Sequence, residues 1–215
     1  MGNFPIDFKL DQKAFAVLVL GPSGVGKTSI CLGGQFQDPD VRSCVTTTTR
    51  PKRDEESDGV DYHFVSETVF RKGLTQGDFV EYAEVHGFLY GATVKAVSDV
   101  FSRGWVMLLD VDVQGAETWK KVLASRCVTV FILPPTWEVL KKRLKNRRTE
   151  SLVSFNMRIK NAKKELVRAY EYDYLIVNEN ITKSVFQLQQ IIDVEKHRPC
   201  RMVETLAKFR IPEEH

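Results

Sequence analysis

The chain has 215 residues, 43% of them hydrophobic, and a formal net charge of +3, which fits one domain with insertions around a sizeable core. So small a charge does not argue for nucleic acid as a partner. The longest apolar runs, Ala14 to Leu20 and Val128 to Pro135, are too short to span a bilayer. Met1 to Ile6 lacks a secretory apolar region and a myristoylation hydroxyl, so no membrane partner and a cytoplasmic location are expected.

In chain order, Ala14–Leu20 is a short Val/Leu-rich run that predicts a strand covered on both faces, and a helix is expected from about Lys27. Val41 to Tyr90 is more polar, carries Asp58-Gly59 and His86-Gly87 turn signals, and holds Asp61–Val65 and Phe79–Val85, which alternate as antiparallel β. Helical patterns follow over Thr93 to Ser102, with Thr93 as N-cap, then Gly115 to Leu123, Thr136 to Lys145 and Thr182 to Glu195. Strands are expected at Trp105–Asp110, Val128–Leu133 and Tyr174–Val177. Strand alternating with helix predicts an α/β fold, a doubly wound parallel sheet. Lys141 to Arg158 is strongly basic around a Thr149-Glu150-Ser151 turn, and reads as two helical arms joined by a mobile tip that grips phosphate. The expected division is a core over 14–40, 91–136 and 159–197, a mixed α/β insertion over 41–90 and a lid over 137–158. The first thirteen residues and the tail from about Arg198 carry no usable motif.

Gly21-Pro22-Ser23-Gly24-Val25-Gly26-Lys27-Thr28 directly follows the first strand and satisfies G-x-x-x-x-G-K-[ST] at every fixed position. Its glycines allow consecutive N–H groups to face the phosphates of a nucleoside triphosphate, Lys27 reaches the β- and γ-phosphates, and Thr28 offers a hydroxyl to Mg²⁺. Ser29 continues the loop into the helix. Cys31, Cys44, Cys127 and Cys200 are widely spaced and read as reduced thiols. His63, His86, His197 and His215 lack ligand-like spacing.

A second group lies downstream: Thr46-Thr47-Thr48-Thr49-Arg50-Pro51-Lys52-Arg53, Asp58-Gly59-Val60-Asp61-Tyr62, Phe79-Val80-Glu81-Tyr82, Tyr90-Gly91, Leu109 to Gly115 and Ile132-Leu133-Pro134-Pro135. In this order and spacing, over roughly Phe15 to Lys196, the chain resembles the guanylate kinase family. The resemblance implies a P-loop kinase core that transfers the γ-phosphoryl of ATP to GMP and dGMP with Mg²⁺, as a monomer or homodimer. Arg50, Arg53, Tyr62 and Tyr90 then hold the phosphate of GMP, with Gly91 beside them. Glu81 accepts from guanine N1–H and N2–H where adenine presents a lone pair, and Asp112 and Thr46 support the same base. Asp110 ends its strand near Mg²⁺, through water. Arg143, Arg147 and Arg158 cover the phosphates of ATP, and Asn178 matches a position near adenine.

The chain departs from the family pattern at four places. Ala92 stands where a hydroxyl residue follows Tyr-Gly, and Thr46 where Ser is common. Asn146-Arg147-Arg148 replaces Gly-Arg-Gly, which stiffens the lid tip or adds charge, and Glu55 replaces Gly, leaving Glu56 as the matching acid. A family member reduced to protein binding would show a degraded loop and attached interaction domains, and neither is present. Ala92 leaves room for a kinase of another nucleoside monophosphate.

Overall fold

All six residues of β1 (Phe15–Leu20) are fully buried, because alternate side chains feed two separate cores. The structure, a computed structural model, describes residues 13–85, 87–145 and 152–209. After β1 come α1 (Lys27–Gln37), β2 (Val41–Arg42), β3 (Thr47–Thr48), β4 (His63–Phe64), α2 (Glu67–Gln76), β5 (Phe79–Val85), β6 (Phe88–Thr93) and α3 (Val94–Phe101). The second half holds β7 (Val106–Asp110), α4 (Val113–Leu123), β8 (Cys127–Leu133), α5 (Trp137–Lys145), α6 (Leu152–Leu166), β9 (Tyr174–Val177), α7 (Ile181–Lys196) and α8 (Val203–Ala207).

A five-stranded, all-parallel sheet runs β2-β7-β1-β8-β9. Phe15, Val17 and Val19 face a core shared with Ile30 of α1, Leu140 and Leu144 of α5, and Leu188 and Ile192 of α7. Ala16, Leu18 and Leu20 face the opposite core, with Val97 and Phe101 of α3 and Ala116 and Trp119 of α4. The doubly wound sheet expected from the sequence is present, with the phosphate-loop motif at the carboxyl end of its central strand. That is where open α/β sheets bind ligands.

A second sheet, β4-β3-β6-β5, lies within the 41–90 segment and its continuation. Thr93 caps α3 as expected, its hydroxyl accepting from the Ala96 N–H at 3.2 Å. Two expectations change. Val41–Arg42, placed with the insertion, pair in parallel with β7 and so extend the core sheet. Asp61–Val65, expected antiparallel, supplies β4, which runs parallel to β3 because residues 49–62 form a long return rather than a hairpin. The His86 turn signal and the lid tip, with Asn146, Arg147, Arg148 and the Thr149-Glu150-Ser151 turn, lie outside the described residues. All four cysteines are free thiols. Among the described residues no helix is long and apolar enough to cross a membrane.

Candidate active site

The loop after β1 turns into α1 through Gly24 at φ +85° and Gly26 at φ +98°, both in the left-handed region that a side chain disfavours. It walls a cleft of about 390 Å³ lined by Gly21, Ser23, Gly24, Gly26, Lys27, Thr28, Ser29, Asp112 and Glu165. No side chain caps α1, so its first-turn N–H groups remain for a ligand in this cleft. Pro22 and Val25 are buried behind the loop and do not line it, Val25 belonging to the core under α1.

Lys27 Nζ donates to the Gly21 carbonyl at 2.8 Å and lies 3.7 Å from Asp110 Oδ1. The Thr28 hydroxyl donates to Asp110 Oδ2 at 2.8 Å, which joins the loop to the end of β7. Arg158, on α6, donates to the Ser23 hydroxyl at 3.3 Å and so ties α6 to the loop. Arg143 contacts the loop's rim, its Cβ lying 3.8 Å from where a Gly24 Cβ would sit, and donates to the Asn178 carbonyl at 3.0 Å.

Asn178, expected near adenine, lies beneath the loop. Its side chain is engaged within the protein, Nδ2 donating to the Val25 carbonyl at 2.7 Å and Oδ1 accepting from the Ser184 hydroxyl at 3.0 Å. Only 5% of the residue is exposed.

A second cleft, of about 250 Å³, gathers Thr46, Tyr62, Glu81, Tyr90, Gly91, Ala92, Asp110 and Asp112, with Trp119 and Leu109 among its apolar wall. A bulge between Phe79 and Glu81 sets Glu81 opposite Ala92 on the neighbouring strand, and both face this cleft. Burial, and then the negative charge of Asp112, push the Glu81 carboxyl above the usual range. Asp112 caps α4, with Oδ1 accepting from the Gly115 N–H at 2.7 Å, so Oδ2 is the oxygen left for a ligand. Gly91 is fixed by packing as well as by the cleft: a Cβ there would lie 2.7 Å from Phe79 Cδ1.

Arg50 and Arg53 do not line either cleft. Arg50 stands over the Tyr62 ring at 5.6 Å and binds Glu56 through Nη2 at 2.6 Å, a contact that raises its pKa further. The other Glu56 oxygen accepts from the Arg53 N–H at 2.9 Å, so one carboxylate organises both arginines, while the Arg53 side chain is exposed. Tyr62 packs edge-on against Tyr90 with centroids 5.8 Å apart, and burial raises the Tyr62 pKa. A guanidinium has five donors; Arg50 places donors on Glu56 and the Pro51 carbonyl, and its side chain also hydrogen-bonds Tyr90.

Glu165 was not singled out from the sequence. It lies on α6 seven residues after Arg158, two helical turns along the same face, and that spacing was the available signal. Burial raises its carboxyl, with Lys27 opposing the shift. Arg147 lies outside the described residues.

The guanylate kinase family model matches residues 13–195. Relatives named guanylate kinase include one from Syntrophotalea carbinolica, 41% identical over 195 residues and covering 90% of this chain and 91% of that protein. Another, from Thermotoga maritima, is 38% identical over 200 residues, covering 93% and 96%. The crystal structure of guanylate kinase from Anaplasma phagocytophilum superposes with a TM-score of 0.71 at 29% identity, covering 95% of this chain and 99% of that one. With two clefts meeting at Asp112, one walled by a phosphate loop, the chain belongs to the guanylate kinase family.

Proposed function

We propose that the chain moves the γ-phosphoryl of ATP onto GMP, and onto dGMP, with the phosphate loop as donor site and the Glu81 cleft as acceptor site. The observation that carries this reading is the shared wall: Asp112 lines both clefts, so a triphosphate held on the loop and a base held by Glu81 meet across the end of β7. Glu81 and the free oxygen of Asp112 accept from guanine N1–H and N2–H. Thr46 supports the base from β3's approach, and Tyr62, Tyr90, Arg50 and Arg53 take the phosphate.

The phosphate of GMP is ionised near neutral pH, so the acceptor requires no strong general base. Transfer rests on alignment and on cationic stabilisation of the equatorial oxygens by Lys27, Arg158, Arg143 and the lid's Arg147. The Thr28 hydroxyl and the Asp110 carboxylate, 2.8 Å apart, are a pair of hard oxygens that suit Mg²⁺, which takes one or two protein ligands and completes its shell with water and nucleotide oxygens. Among the described residues no group of three or more His, Cys, Asp or Glu side chains could hold a metal ion by themselves. Held by Thr28 and Asp110, Mg²⁺ would neutralise phosphate charge as it develops during transfer.

Replacing Arg50 with Ala tests the division between the clefts. The expected result is a higher GMP KM and lower turnover with ATP affinity little changed; an ATP defect with GMP binding intact refutes it.

A further inference from the structure

We infer that Asn178 and Ser184 are positioning residues of the phosphate loop: together they hold the Val25–Gly26 peptide with its N–H turned into the phosphate cleft. The inference deepens the donor-site assignment above and rests on it.

The geometry begins at the Val25 carbonyl, which accepts from Asn178 Nδ2 at 2.7 Å. In a trans peptide the carbonyl and the next N–H point in opposite directions. A Val25 carbonyl directed at Asn178, behind the loop, therefore directs the Gly26 N–H towards the cleft that Gly26 lines. Two glycines in left-handed conformations, at φ +85° and +98°, flank Val25. Glycine accepts either sign of φ, so nothing in the local backbone prevents this peptide from turning over. A turned peptide would present a carbonyl to the phosphates in place of a donor. The restraint must come from outside the loop, and Asn178 supplies it.

Asn178 is itself fixed on every polar atom. Its N–H donates to the Leu133 carbonyl at 2.8 Å, its carbonyl accepts from Arg143 at 3.0 Å, and its Oδ1 accepts from the Ser184 hydroxyl at 3.0 Å. The Ser184 bond matters because an amide can rotate by half a turn and exchange oxygen for nitrogen. The Val25 carbonyl can only accept, so the amide nitrogen must face it, and the Ser184 hydroxyl donates to the Oδ1 left on the other side. Ser184 is fully buried and Asn178 is 5% exposed, so water does not compete for either bond. The absence of a Cβ at Gly26 completes the fit, since one would sit 2.6 Å from Asn178 Nδ2. Through Arg143 the same residue ties α5, the root of the lid, to the loop.

The test uses the full chain with Asn178→Ala, Asn178→Asp and Ser184→Ala. ATP·Mg²⁺ and GMP affinities are measured separately by calorimetry, with the Gly26 amide followed by ¹H–¹⁵N spectroscopy. Asn178→Ala is expected to weaken ATP binding about tenfold, as for loss of one buried hydrogen bond. Asn178→Asp should weaken it more, because a carboxylate oxygen then faces the Val25 carbonyl, and Ser184→Ala less. GMP affinity should stay at the parent value in all three, and the Gly26 amide resonance of the free chain should move in the same order. ATP affinities within about twofold of the parent, or equal losses for ATP and GMP, overturn the inference, the latter by showing general support of the fold. Failure of the donor assignment shows differently, as a parent that binds no ATP; the Gly26 shifts of the free variants then still decide the role of Asn178.

Discussion

Glu81→Gln changes one atom of the proposed guanine contact and separates recognition from folding. A carboxylate facing guanine accepts two hydrogen bonds, and bonds to a charged partner contribute about 1.5–3 kcal/mol each. The amide retains one acceptor, worth about 0.5–1.5 kcal/mol as a neutral bond, and sets an NH₂ donor against the remaining guanine donor. The net loss is about 2.5–4.5 kcal/mol, or roughly 60- to 1,600-fold in kcat/KM for GMP. Stability should respond with the opposite sign. Glu81 is half-buried, and both burial and Asp112 disfavour its charge, so the neutral isostere removes a repulsion from the folded state. The melting temperature is expected to hold or rise while GMP activity falls, and the preference for GMP over AMP to narrow because an amide can pair with adenine. A coupled ADP-release assay with both nucleotides, beside a thermal melt, decides it. GMP kcat/KM within about threefold of the parent, or a loss of activity matched by a loss of stability, refutes the assignment of Glu81.

The same carboxyl predicts a pH dependence. GMP requires the charged form, so its affinity should fall as pH drops through the raised Glu81 pKa, at higher pH than for an ordinary Glu, and Glu81→Gln should abolish that limb. Because the folded-state pKa is raised, the folded chain holds this proton more tightly than the unfolded chain, so protonation of Glu81 favours the fold and the affinity loss should come with no acid destabilisation from this group. Ala92→Ser places a hydroxyl on the strand position opposite Glu81, in the wall of the same cleft, and should tighten GMP by up to roughly tenfold if guanine O6 otherwise lacks a donor; unchanged affinity in a titration means that O6 is already satisfied. Arg201→Ala removes a buried partner of Glu195, which is fully buried and also accepts from Tyr174 at 2.7 Å; urea unfolding should show a loss of about 3 kcal/mol, and a loss below about 1 kcal/mol contradicts the pairing.

The core was legible where local pattern and tertiary role coincide. β1 reads as a strand because all of its residues are apolar and both of its faces are covered, and the loop behind it reads as phosphate-binding because its glycines and Lys27 stand at fixed intervals. β2, β3 and β4 have two residues each, too few to show a period, and whether β4 runs parallel or antiparallel depends on the long return before it. Side chains that act through backbone partners were also hidden. Asn178 follows a strand, and nothing in Ile176-Val177-Asn178 reveals that its amide braces Val25, on the far side of the sequence. Asp112 reads equally as a ligand for the base or as a helix cap, and its geometry allows both, one oxygen for each. The tail from Arg198 has no motif because the buried contacts of Arg201, with Glu195 and over the Phe15 ring, join it to segments that do not announce the pairing alone.

The central claim is that the two clefts meeting at Asp112 pass a phosphoryl group from ATP to a guanine nucleotide. Its most direct test is ADP release by the purified chain with ATP and Mg²⁺, comparing GMP, dGMP, AMP, CMP and UMP, with Lys27→Ala as the control. The account predicts turnover with GMP and dGMP, at least roughly a hundredfold less with AMP, CMP and UMP, and a loss on the order of 10³-fold in the Lys27→Ala variant. Turnover with AMP equal to that with GMP, or a Lys27→Ala variant that retains the parent rate, would contradict it.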